Sequence, residues 1–476
     1  MESREKKETF KSYMSNKYYS IIGRIHLFCM VVRLRWIGTF LIILFILENI
    51  TGWSDFFNRF SIEIMLKDLS FCVTLLIALI IALFVEIIRY QLLARKIIML
   101  SLSKSEKHAL KSSIKLTQVD IQSGYKLLFF KRKEDCASGE EFDSCENDNA
   151  EDECYVMSNR VNRYLQKGSS TEIYKPHLFI ESQSYRLPEE IRLLVPRIMR
   201  HNLKKGNKYI YNGQLLRQNQ SMYFNEQGKI DPLTLSRVGY YDGQCTHEIV
   251  YKNFVSRDHV GVTSGKVLML NEENQLRPIE HSHSALFLGA STLVFTKDHK
   301  ILIALQGTKA KVNPNRYVPS GSGSVQWHSD YRVTGYTVLE DVLIHAMERE
   351  FCEEWNLPDR SINNIRLKTA IIGYCLLIER GGKPDYFGLT YLDMTYEELS
   401  KINKGCFVSG KECVFQQETD EILSFHDADD FCVQLENCCH RNRHNLSIQL
   451  YLMTKILCTM VQEGSLTDFL NKLTAL

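Results

Sequence analysis

Three carboxylates, Glu350, Glu353 and Glu354, are spaced so that an α-helix would place them on one face. Like charges at this spacing repel each other unless a cation joins them, and carboxylate oxygens are the ligands that Mg²⁺ and Mn²⁺ prefer. A divalent cation here would bridge a diphosphate and activate water for substitution at phosphorus. The neighbouring Arg349 can orient a carboxylate or contact a phosphate through its planar guanidinium. By spacing alone, a solvated acidic helix end is the competing interpretation.

The segment around these glutamates, GYTVLEDVLIHAMEREFCEEWNL, resembles the Nudix box. That pattern is Gly, five residues, Glu, seven residues and then Arg-Glu-apolar-any-Glu-Glu-any-Gly-apolar. The matching residues are Gly335, Arg349, Glu350, Phe351, Glu353, Glu354 and Leu357. Asp341 stands at the first Glu position and keeps the carboxylate. Asn356 stands at the second Gly position, and Asn tolerates the left-handed conformation at a helix end better than other residues with a side chain.

The resemblance implies a site for Mg²⁺ or Mn²⁺. Its metal ligands would be Glu350, Glu353 and Glu354, and these residues together with Arg349 would be catalytic. The residues that would shape the motif are Gly335, Asp341 and Asn356. The resemblance does not separate an active pyrophosphohydrolase from a domain that only binds its ligand.

The surroundings of the box resemble the same superfamily. Strands are predicted at Leu286–Phe295 and Ile301–Leu305, followed by a strand and Gly-rich turn at Arg316–Val325, and then by strands at Leu367–Leu377 and Phe387–Tyr391. Helical periodicity is strongest at Glu340–Trp355 and Asn445–Val461. The expected fold of this part is therefore an α/β/α sandwich of the Nudix type, which the resemblance places at 284–431.

The N-terminal part of the chain is far more apolar than the rest. Leu69–Val85 has no charged residue, and a second apolar stretch, Cys29–Leu47, is free of charge from Trp36 onward. These stretches predict a membrane helical hairpin, although a buried helical hairpin is the alternative. Basic residues flank the pair on both sides, so both termini of this multi-pass arrangement are predicted to be cytoplasmic.

The remaining segments are less informative. Glu134–Glu153 is half acidic and predicts an exposed or disordered linker. The 14 cysteines fit free thiols in a reducing compartment, and a net charge of +2 gives no reason to expect DNA or RNA as a partner. The predicted organisation begins with a cytosolic N-terminal segment at 1–28, the transmembrane hairpin at 29–88, and a basic helical extension with the acidic linker at 89–154. It continues with an α+β region of unassigned role at 155–283, the Nudix-like domain at 284–431 and a C-terminal helical segment at 432–476.

This arrangement resembles the transmembrane Nudix effectors of bacterial cyclic-oligonucleotide antiphage signalling. The resemblance implies that the Nudix-like domain senses a cyclic di- or trinucleotide made by a synthase that acts upstream. It also implies a homo-oligomer whose membrane helices disrupt the inner membrane and cause growth arrest or cell death. One alternative is a membrane-tethered Nudix hydrolase of nucleoside diphosphate-linked or lipid diphosphate substrates. Another is a degenerate Nudix domain that binds a protein partner.

Overall fold

The computed structural model describes residues 95–132, 152–168, 171–204, 212–256, 262–307, 313–355, 357, 365–405 and 421–475, with a few more between 80 and 92. The predicted N-terminal segment at 1–28, nearly all of the predicted acidic linker and Asn356 lie outside the described residues.

The helices and strands follow one another irregularly along the chain. The strands are β1 Ile97–Ser101, β2 Tyr125–Phe130, β3 Glu153–Ser158, β4 Leu178–Ile180, β5 Gln214–Gln218, β6 Leu233–Gly239, β7 Lys252–Ser256, β8 Val262–Ser264, β9 Gly289–Thr296, β10 Lys300–Leu305, β11 Tyr317–Val318, β12 Gly321–Ser324, β13 Leu367–Leu377, β14 Lys383–Leu392 and β15 Glu421–Ser424. The helices are α1 Lys104–Ser113, α2 Gln118–Gln122, α3 Asn159–Gly168, α4 Glu189–Lys204, α5 Tyr240–Gln244, α6 Leu339–Glu354, α7 Tyr396–Gly405, α8 Ala428–Arg441, α9 Ile448–Gln462 and α10 Leu466–Thr474. A π-helical turn spans Trp327–Arg332.

A nine-stranded mixed sheet forms the centre of the described structure. Its order is β11-β10-β9-β14-β13-β3-β2, with β12 also paired to β9 and β15 also paired to β10. Strands β9 and β14 run parallel, and the other pairs are antiparallel. The outer strands β2 and β3 come from 89–154 and from the border with 155–283, so this sheet extends beyond the segment expected to form the Nudix-like domain.

Helices cover both faces of this sheet. Phe387 and Leu389 of β14 pack with α8, α9 and α10 on one face, whereas the preceding Tyr386 packs with α3 and α6 on the other. Alternate residues of a strand point to opposite faces, so a strand buried on both sides must be apolar or paired at nearly every position. Every residue of β14 is buried.

Two small sheets extend the fold. One has the order β1-β7-β8 and the other β4-β6-β5. The second is joined to the central sheet by backbone hydrogen bonds, since the Leu216 amide donates to the Val325 carbonyl and the Leu288 amide donates to the Leu216 carbonyl. In the basic part of 89–154, which was predicted to be helical, strand β1 precedes helix α1.

A buried arginine links the end of β2 to the start of α9. Arg132 donates through Nη1 to the carbonyls of Leu446 and His444, at 2.8 and 3.2 Å, and forms an ion pair with Glu153. Its side chain is fully buried. These bonds satisfy a charge that would otherwise be costly to remove from water.

In the part of the chain that the structure describes, no helix has the length and apolarity required to cross a bilayer. The predicted fold with a transmembrane hairpin at 29–88 is therefore wrong on this finding, as is the predicted multi-pass location in the inner membrane. A span takes about 20 consecutive apolar residues. By contrast, α4 and α6 have 16 residues each and carry charged side chains, and α9 is buried against the sheet. Residues 1–79 lie outside the described part.

Candidate active site

The candidate site is formed by the second half of α6 and by the Gly-rich strand β12 beside it. Leu343, Ala346 and Met347 of α6 are buried against the central sheet and so fix the helix. The last two turns then present Arg349 and the three predicted glutamates beside β12. The helix is preceded by Gly335, whose φ of +69° is in the left-handed region that favours glycine.

Strand β12 comes close to α6 because two of its residues have no side chain. A Cβ at Gly321 would lie 2.7 Å from the backbone nitrogen of Phe351, and a Cβ at Gly323 would overlap the carboxyl group of Glu350. Gly323 thus leaves the space in which the Glu350 carboxylate lies. The Gly-rich turn predicted at Arg316–Val325 has this physical role.

Arg349 is held by a buried aspartate from the π-helical turn. Its Nε donates to Oδ1 of Asp330 at 2.7 Å, and its Nη2 donates to Oδ2 at 2.9 Å. The Asp330 side chain is 0% exposed and also accepts from the backbone amide of Gln326. Nδ1 of His345 lies 3.2 Å from the same carboxylate. This bidentate geometry leaves the guanidinium little freedom to rotate.

The third guanidinium nitrogen, Nη1, faces two of the predicted metal ligands. It lies 2.9 Å from Oε1 of Glu350 and 3.6 Å from Oε2 of Glu353. The Glu350 side chain is 14% exposed and the Glu353 side chain 44%, so one carboxylate is enclosed and the other faces solvent. Glu354 is half-buried at the last residue of α6.

Burial and charge set the protonation of these groups. Burial raises the pKa of Glu350 to about 7, because the nearby charge of Arg349 offsets only part of the lost hydration and Glu353 adds repulsion. Burial also opposes ionisation of Asp330, but the hydrogen bonds from His345 and Arg349 outweigh it and lower its pKa. Arg349 stays protonated because its bonds to Asp330 and the charge of Glu350 outweigh burial and raise its pKa.

The structure brings Arg349, Glu350 and Glu353 together as the motif predicted, but no three His, Cys, Asp or Glu side chains form a ready metal-binding group in the described ranges. Asp341 lies in the first turn of α6, about two turns before Arg349. The partner of Arg349 is Asp330, a residue that the sequence interpretation missed. Asp330 lies outside the segment that resembles the Nudix box, in the polar stretch between Val325 and Gly335 that the sequence predicts as a loop, so the motif contained no signal for it.

The raised pKa of Glu350 predicts a pH-dependent effect on stability. A carboxyl group whose pKa is higher in the folded than in the unfolded state contributes to stability while it is protonated. This contribution to the free energy of unfolding is lost as the pH rises through the pKa of the folded state. A shift from 4.5 to about 7 corresponds to about 3 kcal/mol. Glu350→Gln should therefore raise the free energy of unfolding, relative to wild type, by up to about that amount at pH 8 and change it little at pH 4.5.

Urea denaturation of the purified full-length chain at both pH values measures this difference. Glu397→Gln is the matched control, since its side chain is 80% exposed and lies on α7 rather than on α6, and it should follow the wild-type pH dependence. An equal response of Glu350→Gln at both pH values would show that the Glu350 carboxylate is not destabilised by burial.

No protein-family model and no curated protein matches this chain. Among solved structures, the crystal structure of DR0079 from Deinococcus radiodurans matches with 13% sequence identity and a TM-score of 0.22, over 40% of this chain and 96% of that chain. A TM-score this low supports no inference about fold or function.

Proposed function

We propose that the α6 site binds the diphosphate group of a nucleoside diphosphate-linked compound together with a divalent cation and hydrolyses it. The observation that supports this proposal is the enclosed Glu350 carboxylate, which lies in the space left by Gly323 and is held by an arginine that Asp330 fixes in place. An enclosed carboxylate with a pKa near neutrality costs stability. Such a cost is typical of groups that act in binding or catalysis.

The donors fit Mg²⁺ or Mn²⁺. Mg²⁺ is usually bound by one or two carboxylates together with waters and substrate phosphates, so a cage of three protein ligands is not required. Glu350 and Glu353 supply two carboxylates about one helical turn apart, and Glu354 follows directly. When bound, the cation supplies charge neutralisation at the diphosphate.

The residues of the chain have separate roles in this proposal. Asp330 positions Arg349, and Arg349 in turn holds Oε1 of Glu350 toward the site. Glu350 has a pKa of about 7, so it can accept or release a proton at neutral pH when no cation is present. Glu353, more exposed than Glu350, faces the solution from which substrate and cation arrive.

The test is hydrolysis of a nucleoside diphosphate sugar by the purified full-length chain, followed by chromatography of the nucleoside monophosphate released. We expect turnover with Mg²⁺ or Mn²⁺, no turnover with excess EDTA, and at least about 10²-fold lower turnover for Glu350→Gln and Glu353→Gln. Arg163→Gln is the control, because Arg163 is an exposed residue paired with Glu463 far along the chain, and it should retain wild-type activity. Turnover that persists in both glutamate variants would contradict the proposal.

The predicted sensing of a cyclic di- or trinucleotide, with its upstream synthase and homo-oligomer, stays a prediction. The same holds for a degenerate domain that binds a protein partner. Cyclic oligonucleotides carry isolated phosphodiesters rather than adjacent phosphates, so the pair of carboxylates on α6 does not favour them. Calorimetric titration of the full-length chain with cyclic di- and trinucleotides separates the cases. Binding of such a ligand without hydrolysis of any diphosphate would favour sensing and contradict the hydrolase.

A further inference from the structure

A second polar cluster lies around the buried ring of Phe287, outside the site on α6. The His247 ring centroid lies 4.6 Å from that of Phe287, and the cationic groups of Lys383 and Arg380 lie 5.5 and 5.9 Å from the ring centre. Ser284 lies next to the turn that holds Arg380, since its Oγ is 3.0 Å from the Cβ position of Gly381. The cluster thus joins the end of α5, the approach to β9 and the β13–β14 turn.

Several polar atoms of this cluster are buried without a hydrogen-bond partner in the described structure. They are both ring nitrogens of His247, both amide atoms of Gln244, the hydroxyl of Ser284 and the Nε atoms of Arg217 and Arg380. Gln244, His247 and Ser284 are each at most 1% exposed. Unpaired polar atoms at this depth are rare in folded proteins, and each one costs free energy comparable to a lost hydrogen bond.

These atoms are close to one another in the fold. Gln244 ends α5 three residues before His247, and the preceding Gly243 is in such close contact with Phe287 that a Cβ there would overlap the ring. Arg217 pairs with Phe287 in an isolated β-bridge, and its Nη2 lies 3.5 Å from the Ser284 carbonyl oxygen. The unpaired groups therefore belong to one buried region.

The charges that act on the His247 ring are positive, and each of the cations that supply them also has an acidic neighbour. These cations are Arg217, Arg380 and Lys383. Lys383 forms an ion pair with Asp385 at 2.9 Å, and Arg380 lies 3.5 Å from Glu248. Burial, and then the charges of Arg380, Lys383 and Arg217, lower the pKa of His247 well below its usual value, so the imidazole is neutral. Arg217 bonds to the Asn219 amide and to backbone carbonyls, and its acidic neighbour is Glu181, which also bonds to Asn219.

Most of the unpaired atoms are hydrogen-bond donors. The Gln244 amide, one nitrogen of neutral His247, the Ser284 hydroxyl and the two arginine Nε atoms all carry hydrogens that can be donated. Several unpaired donors in one enclosed region, beside cations that act on His247, match an anion with several oxygens. We propose that this cluster is a binding site for a small oxyanion of the phosphate class, separate from the carboxylates of α6.

The side chains of Arg380 and Arg217 are the most accessible members of the cluster, so they mark the route of entry. The Arg380 side chain is 17% exposed, whereas those of Lys383 and Asp385 are 3% exposed. Arg380 ends a 3₁₀ turn next to Gly381 and Gly382, both at positive φ. An anion enters past Arg380 and is then held by Gln244, His247 and Ser284.

Inorganic phosphate is the probe for this site. Isothermal titration calorimetry of the full-length chain should show saturable phosphate binding, at least tenfold weaker in His247→Leu and in Arg380→Met. Arg163→Met, which changes an exposed arginine, and Glu353→Gln, which changes the site on α6, should bind phosphate as the wild type does. The second control makes failure of this site distinguishable from failure of the proposed hydrolase. Sodium chloride at equal ionic strength controls for general salt effects.

Hydrogen–deuterium exchange of the wild-type chain keeps the test decisive if a variant does not fold. Phosphate should slow amide exchange in residues 240–249 and 378–385 more than elsewhere. The proposal is overturned if phosphate binding does not saturate, or if the His247 and Arg380 variants bind phosphate as tightly as the wild type. It is also overturned if phosphate leaves amide exchange unchanged in both segments. If the His247→Leu protein is more stable than the wild type and binds phosphate as tightly as the wild type does, the cluster is a structural part of the core whose polar atoms bond to buried water.

Discussion

Replacing Asp330 with Asn should lower the free energy of unfolding by about 3–5 kcal/mol, because it leaves the Arg349 charge buried without its bidentate partner. Glu350 remains 2.9 Å from Nη1 of Arg349 and will recover part of this loss, so the lower end of the range is expected. The same change frees the guanidinium to rotate. Diphosphate hydrolysis should therefore fall even at temperatures where the variant is folded.

Asp341→Asn is the matched control, since it makes the same chemical change within the Nudix-like motif itself. Asp341 lies in the first turn of α6, where its charge interacts with the helix dipole, so its loss should cost no more than about 1 kcal/mol. Guanidinium denaturation of both variants gives the comparison. Equal destabilisation by the two substitutions, or a larger effect at Asp341, would refute the assignment of Asp330 as the residue that positions Arg349.

Gly323→Ala should reduce diphosphate hydrolysis by about 10²-fold while changing stability little. The added Cβ would overlap the Glu350 carboxyl group, which is the free end of a flexible side chain and can move away. Gly321→Ala should behave differently, because its Cβ would lie 2.7 Å from the backbone of Phe351 and the helix cannot move without loss of packing. That variant should lose stability as well as activity.

Gly307→Ala is the control for both glycine variants, since no described residue lies within 4 Å of its Cβ position. It should retain wild-type activity and melting temperature. Thermal denaturation and the hydrolysis assay, applied to all three variants, separate displacement of one carboxylate from displacement of the helix. Wild-type turnover by Gly323→Ala would show that the position of Glu350 does not limit the reaction.

The strands and helices near the site were largely predictable. The strand predicted at Leu367–Leu377 is confirmed as β13, and the helix predicted at Glu340–Trp355 is confirmed as α6 to within a residue at each end. Both segments are long and have a clear apolar period. The short alternating run Glu248–Tyr251 also predicts a strand, but that prediction is wrong. That segment begins in a 3₁₀ turn and precedes β7. The prediction failed because four alternating residues are too few to distinguish a strand from a buried turn.

Other parts of the fold depend on contacts that no local pattern records. Strand β14 begins at Lys383, four residues before the predicted start at Phe387, because Lys383 and Asp385 are buried as an ion pair. Strand β2 joins the central sheet through β3 across a long intervening segment. The apolar N-terminal stretches predicted a membrane hairpin by composition alone, and most of their residues lie outside the described part of the chain.

The candidate site was predictable where its residues lie on one helix. The spacing of Glu350 and Glu353 placed them on the same face of α6, and Arg349 does contact both. Asp330 was not predictable, because it reaches Arg349 across 19 residues through a π-helical turn. The unpaired cluster at Gln244, His247 and Ser284 had no sequence signal, since its members come from segments that meet only in the folded chain.

The bonds of Arg132 also determine when the chain can finish folding during synthesis. Strand β2 leaves the ribosome long before Leu446, yet the carbonyls that satisfy the Arg132 guanidinium belong to residues 443–446. Until that segment has been translated, the edge of the sheet at β2 retains a cation that cannot be buried without loss. The contact between the β2 edge and the segment before α9 therefore forms late. Until then, the nascent chain exposes an incomplete sheet edge to chaperones and proteases.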